Sequence, residues 1–204
     1  IIGGSKVSTK IDVINFLFKK MDIIIIGGAM ANTFVAAKGL DVGTSLFEKE
    51  CINLAKELIE KSQNNNCNLI LPTDFIVSKN LKKNAEYTNT KFDSIPSDMM
   101  ALDIGPKSIE EINKNIKNCK TVLWNGPLGA FETYPFDKGT NKVASYVSSL
   151  TKQKKILSVA GGGDTVSALN NAKVLNDFSY VSTAGGAFLE WLEGKVLPGI
   201  EPIS

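Results

Sequence analysis

Histidine and arginine are both missing from this 204-residue chain, so all 23 of its cations are lysines. Without His there is no imidazole acid–base catalysis and no His-liganded metal, and without Arg the chain cannot supply a guanidinium clamp or finger. Charge stabilisation must then come from Lys, backbone amides or a bound cation. Cysteine is scarce too. Cys51, Cys67 and Cys119 are odd in number, far apart and lack any CxxC pair, which argues against a disulfide framework or a zinc site and fits a reducing cytoplasm. Long apolar runs are also lacking: Ile23 to Ile26 is far too short to cross a bilayer, and the first residues show no basic stretch ahead of an apolar one, so neither membrane nor export is expected. The 23 cations meet 21 anions for a net charge of +2, and no lysine run dominates one region, so nucleic acid is not an expected partner.

What is present is the balance of one compact domain over residues 1–204, with 43% hydrophobic and 22% charged residues. The chain opens on Ile1-Ile2-Gly3-Gly4 with no initiator Met, like the tail of a strand, and a fragment is expected. Short β-rich runs recur at Ile1-Ile2, Asp22 to Ile26, Asn68 to Leu71, Thr121 to Trp124, Lys155 to Ala160 and Phe178 to Ser182. Between them, Thr9 to Phe18, Phe47 to Lys61, Ser108 to Ile116 and Asn141 to Leu150 read as helices, the third opening on a Ser-x-x-Glu capping box of Ser108 and Glu111. Residues Lys79 to Ser97 are polar and read as an irregular or antiparallel excursion. This pattern predicts an α/β fold, a Rossmann-like three-layer domain with a mostly parallel central sheet of about six strands.

Glycines fall where the strands end. Gly3-Gly4-Ser5-Lys6, Gly27-Gly28-Ala29-Met30, Asn125-Gly126-Pro127-Leu128-Gly129, Gly161-Gly162-Gly163-Asp164-Thr165 and Thr183-Ala184-Gly185-Gly186 each follow an apolar run. In a parallel sheet the carboxyl ends share one edge, so these loops are expected to converge on a nucleotide-sized crevice. Neither G-x-x-x-x-G-K-[ST] nor a G-x-G-x-x-G dinucleotide fingerprint is present. A glycine run entering a helix nevertheless exposes amides that bind phosphate, as at Gly161 to Thr165 and Gly185-Gly186.

Lys6 and Lys10 are spaced to put two ammonium groups on one face above a strand end, which suits a polyphosphate; the plain alternative is two solvated lysines. Asp164 is either an N-cap or a carboxylate for nucleotide-bound Mg²⁺, and Thr165 either caps the helix or contacts phosphate. Asn125 contacts phosphate or makes an Asx-turn. Glu132 either accepts from ribose hydroxyls or is a solvated loop residue. Trp124, Trp191, Phe131, Phe136, Met99-Met100 and the cysteines read as packing.

The motifs Gly3-Gly4-Ser5-Lys6-Val7-Ser8-Thr9-Lys10-Ile11, Ile25 to Phe34, Leu71-Pro72-Thr73-Asp74, Leu102-Asp103-Ile104-Gly105-Pro106, Trp124-Asn125-Gly126-Pro127, Gly161 to Thr165 and Leu197-Pro198-Gly199 stand in an order that resembles the C-terminal, nucleotide-binding domain of the phosphoglycerate kinases over essentially the whole chain. The resemblance implies reversible phosphoryl transfer between 1,3-bisphosphoglycerate and MgADP, giving 3-phosphoglycerate and MgATP in glycolysis. It places Lys6, Lys10, Gly163 and Gly186 in the catalytic set. It places Gly4, Ser5, Lys10, Gly27, Gly28, Ala101, Leu102, Asn125, Pro127, Glu132, Gly162, Gly163, Asp164 and Thr165 around ATP or ADP, with Asp164 toward Mg²⁺. It also implies a cytoplasmic monomer whose missing N-terminal domain binds 3-phosphoglycerate, so that this fragment alone binds nucleotide with almost no turnover. The chain departs from the family pattern at Ala29, Ala101, Ala184 and Phe188, which puts contacts to purine and phosphate in question.

Overall fold

The computed structural model describes residues 1–195, so the Leu197-Pro198-Gly199 signature lies outside the described residues. Strand β1 (Ile23–Ile25) is all β-branched and runs parallel to β2 (Asn68–Ile70), while β6 (Thr121–Trp124), β7 (Leu157–Gly161) and β8 (Tyr180–Ser182) form a second parallel ladder. Ile2 joins the two. Its amide donates to the Ile25 carbonyl at 2.8 Å and its carbonyl accepts from Gly27 N at 3.0 Å. On the other side, Asn125 N donates to Ile1 O and Gly3 N to Asn125 O, each at 2.9 Å. The six parallel segments expected from the sequence thus lie in the order β2, β1, Ile2, β6, β7, β8, with only isolated bridges at Ile2 linking a two-stranded and a three-stranded ladder.

Side-chain alternation along the strands divides the core into two layers. Ile2, Ile24 and Ile26 join one cluster with α1 (Ile11–Leu17), α2 (Met30–Ala37), α3 (Ile52–Asn64) and α7 (Gly185–Leu192). Ile25, Val122 and Trp124 join the other with α4 (Pro106–Ile116), α5 (Lys138–Lys152) and α6 (Gly163–Asn171). The three-layer α/β expectation therefore holds. Helix α2 escaped periodicity because seven of its eight residues are buried, leaving no polar stripe to set a phase. The helix expected from Phe47 begins only at Ile52, after a 3₁₀ turn at Lys49–Cys51. Among the described residues no helix is long and apolar enough to cross a membrane.

The excursion is antiparallel and larger than the sequence suggested. Strand β3 (Asp74–Ser78) lies between β4 (Thr88–Lys91) and β5 (Met100–Ile104), so β3 and β5 occupy stretches not read as strands. This sheet feeds two buried carboxyl groups to helix N-termini, where unpaired amides and the helix dipole favour them. Asp74 accepts from Ser108 N at 2.8 Å, Ser108 Oγ at 2.7 Å and Lys107 N at 3.1 Å. Asp103 accepts from Gly139 N at 2.6 Å, in the first turn of α5, and from Ile104 N at 2.9 Å. Burial pushes the Asp103 carboxyl well above the ordinary range, against the pull of those two amides. The capping box of Ser108 and Glu111 is overturned: Gly105 and Pro106 begin α4, and Ser108 sits inside its first turn with its hydroxyl on Asp74. A side chain arriving from another strand fills the role that sequence reading gave to a local residue.

Candidate functional site

The glycine loops at the carboxyl edge interlock backbone to backbone. Gly4 N donates to Pro127 O at 3.1 Å, Gly28 N to Leu128 O at 2.9 Å and Met30 N to Gly4 O at 3.0 Å. At Gly28 the requirement for glycine is absolute: φ is +68°, and a Cβ would stand 2.4 Å from the Gly4 carbonyl oxygen.

Beside this knot opens a cleft of about 300 Å³. Of the residues expected from the sequence, it is lined by Gly4, Ser5, Gly28, Ala101, Leu102, Pro127, Glu132 and Asp164. Leu46, Leu81, Met100, Ala130, Phe131 and Thr133 line it as well and were not anticipated as site residues. Leu46 and Leu81 are 64% and 52% exposed, and a lone leucine in a polar loop was the one available signal. Phe131 and Met100 are thus cleft walls rather than interior packing, and Trp191 is 55% exposed.

Gly27, Asn125 and Thr165 are buried instead of lining the cleft. A Cβ on Gly27 would strike Leu128. Asn125 is a brace: its Nδ2 donates to Gly161 O at 2.7 Å and its Oδ1 accepts from the Lys10 ammonium. Thr165 Oγ1 accepts from Gly126 N at 2.7 Å, tying α6 to the Asn125 loop. Neither caps a helix; the N-cap of α6 is Gly162, and Asp164 falls in the first turn.

Lys10 is half-buried at the start of α1. Burial lowers its pKa from the ordinary lysine value, while the carboxylates of Asp164 and Glu193 pull it back up. The Lys10 and Asp164 charges therefore act on each other, but of the two only Asp164 lines the cleft, and Lys6, Gly162, Gly163 and Gly186 are not among its walls either. Lys6 is exposed on the same loop, and its charge acts on Glu48. Partial burial would raise the Glu48 pKa, but hydrogen bonds from Ser8 and the Lys6 charge hold it below the usual value.

Exposed Gly163 and Gly186 open α6 and α7, and a Cβ on Gly185 would lie 3.8 Å from Gly162 Cα, so the two N-termini stand side by side. Such amides form a ready anion site. Gly162 itself has φ +96° and ψ 140°. A Cβ there would meet Asn125 Nδ2 at 2.7 Å, so Gly162→Ala is expected to cost about 2 kcal/mol and to displace the brace on Lys10, read as a lowered denaturation midpoint.

Of the alanine departures, Ala29 is αR at the N-cap of α2, Ala101 N donates to Ser45 Oγ at 2.8 Å, and Ala184 is the N-cap of α7 with φ −92° and ψ 76°. Phe188 is buried beneath Gly161, where a Cβ would sit 2.3 Å from its ring.

For a metal, the described residues hold no group of three or more His, Cys, Asp or Glu side chains. The exposed Asp164 carboxylate at the cleft fits magnesium held by one carboxylate together with substrate phosphates.

The sequence model of the family described as "Phosphoglycerate kinase" matches residues 1–195. The chain belongs to the phosphoglycerate kinase family. It is 55% identical over 203 residues to the phosphoglycerate kinase of Methylorubrum extorquens (strain PA1), covering 100% of this chain and 51% of that protein. It is 53% identical over 201 residues to that of Sinorhizobium fredii, covering 98% and 50%. The solved phosphoglycerate kinase of Coxiella burnetii superposes with a TM-score of 0.93 at 42% identity, over 98% of this chain and 50% of that one. The Pyrococcus horikoshii structure, at 24% identity and TM-score 0.79, shares the fold. The chain therefore spans about half the length of the curated phosphoglycerate kinases it matches.

Proposed function

We propose that this chain is the nucleotide-binding part of a phosphoglycerate kinase, working in glycolysis in the cytoplasm as a monomer and passing a phosphoryl group between MgATP and 3-phosphoglycerate. The observation that carries the reading is an apolar-walled cleft lined by Asp164, with the Lys10 charge acting on Asp164 and the N-terminus of α6, which carries Asp164, standing beside that of α7. Base and ribose would lie against Ala101, Leu102 and Pro127, with Glu132 accepting from the ribose hydroxyls. Lys10, seated by Asn125, would bind nucleotide phosphates, and the amides of Gly163 and Gly186 would meet the phosphoryl oxygens. Lys6, exposed on its loop, would follow the phosphoryl in flight.

When bound with the nucleotide, Mg²⁺ held by Asp164 would neutralise phosphate charge. Phosphoryl transfer asks mainly for alignment and charge neutralisation, so a chain without His or Arg is adequate on the nucleotide side. The acceptor carboxylate is already ionised and needs no general base.

The 3-phosphoglycerate site would belong to an N-terminal domain, and closure of two domains over both substrates would be needed for turnover. Calorimetric titration of the chain with MgADP and, separately, NAD tests the reading: MgADP binding without NAD binding is expected. NAD binding without MgADP would replace it with a dehydrogenase-like one. A coupled assay should find almost no turnover by the chain alone, and substantial turnover would overturn the two-domain requirement.

A further inference from the structure

Two loops that share no strand both reach the cleft. Residues 79–87, between β3 and β4, bring Leu81, and residues 126–137, between β6 and α5, bring Pro127, Phe131 and Glu132. The first loop is fastened back to its own sheet, with Ser78 Oγ donating to Glu86 O at 2.6 Å and Lys79 pairing with Asp98 at 2.7 Å. Within it Ala85 is buried, but Leu81 is 52% exposed and Tyr87 47%, and Tyr134 on the other loop is 49% exposed. Two ties cross the gap between the loops.

One tie is a backbone bond from Asn84 N to Tyr134 O at 3.0 Å. The other is Lys138. Its ammonium lies 5.3 Å from the Tyr87 ring centroid and 5.2 Å from that of Tyr134, and donates to Tyr87 Oη at 3.2 Å. One ammonium hydrogen-bonded to the Tyr87 hydroxyl and close to both rings ties the two side chains through a single charge. The post carrying it is rigid, because the next residue, Gly139, is bonded through its amide to buried Asp103. A lysine as the first residue of a helix also stands against the helix dipole, so its place there calls for a contact that outweighs it.

We propose that Lys138 is a positioning residue for the nucleotide: bonded to the Tyr87 hydroxyl and lying against Tyr134, it fixes the width of the slot between the Leu81 loop and the Phe131–Glu132 loop. The inference rests on the nucleotide reading of the cleft. It concerns a side chain outside the cleft that acts through its walls.

The test is calorimetric titration of the full chain with MgADP, with thermal midpoints and amide exchange over residues 79–87 measured in parallel. Lys138→Met removes the charge but keeps the stem, Lys138→Arg keeps a cation that stacks, and Tyr87→Leu leaves the charge in place and removes one face. Lys138→Met and Tyr87→Leu should each raise the MgADP Kd about fivefold and speed exchange in 79–87 with an unchanged midpoint, while Lys138→Arg binds like the unsubstituted chain. An unchanged Kd in Lys138→Met, while the unsubstituted chain binds, overturns the inference and leaves the nucleotide reading standing. Loss in Lys138→Met without loss in Tyr87→Leu would mean simple charge attraction, and also overturns it. Failure of the unsubstituted chain to bind MgADP removes both.

Discussion

Lys10→Met should weaken MgADP binding by about a hundredfold, the scale of one lost hydrogen-bonded charge contact to phosphate. The side chain is prepared for this role before any ligand arrives: Asn125 Oδ1 holds the ammonium, and Asn125 is itself fixed by its bond to Gly161 O. Met preserves the stem but leaves the buried Asn125 Oδ1 without its donor, so a stability loss of about 1–2 kcal/mol should accompany the loss in Kd, which is read on the folded fraction. Calorimetry on the pair of proteins reads it directly, and a Kd within a factor of about three would remove Lys10 from the phosphate contact.

The same lysine gives affinity and stability opposite responses to pH. Burial lowers its folded-state pKa below 10.5, so in the alkaline window beneath 10.5 the unfolded chain holds more protons than the folded one. Stability from this group therefore rises as pH climbs through the folded-state value. MgADP affinity falls over that window, because the uncharged amine no longer balances phosphate. Lys10→Met should flatten both responses.

Asp74→Ala should cost about 4 kcal/mol, lowering the thermal midpoint by about 10 °C, while leaving nucleotide affinity in any folded fraction nearly unchanged. The carboxyl group is 1% exposed and satisfies Lys107 N, Ser108 N and Ser108 Oγ at the start of α4. Alanine would strand the two amides, while Ser108 Oγ keeps the residue-74 carbonyl, and would leave a void against Gly105, whose missing Cβ makes room for this carboxyl. Calorimetric unfolding with MgADP titration of the native fraction separates the two effects. A midpoint shift below about 3 °C would mean that water replaces the carboxyl at no cost.

Asp74 also marks where sequence reading stopped. The parallel strands were legible because β1 and its neighbours are short apolar runs ending in glycine, and the glycines located the cleft edge. Strands β3 and β5 of the antiparallel sheet were not legible: β3 is buried without alternation, and β5 carries buried Asp103 next to its last residue, a residue type that composition alone assigns to a surface. Both acids stood in the motifs that carried the family resemblance, yet their contacts are long-range caps on α4 and α5 that no local spacing encodes. At the cleft the polar candidates came from recognisable motifs. Leu46, Leu81 and Phe131 were missed because an apolar side chain in a loop is a weak signal by itself, and a wall residue is defined by what folding places across from it.

The pairing of Ile2 with both Ile26 and Asn125 has a consequence for how the molecule comes apart. The segment at the centre of the sheet pairs with residues well separated from it in sequence. Either half-sheet can fray outward from β2 or β8 without disturbing that middle register, so the amides of Ile2, Gly27 and Asn125 should be among the last to exchange with deuterium. Their exchange would report the global opening free energy, and the margins would report a smaller one.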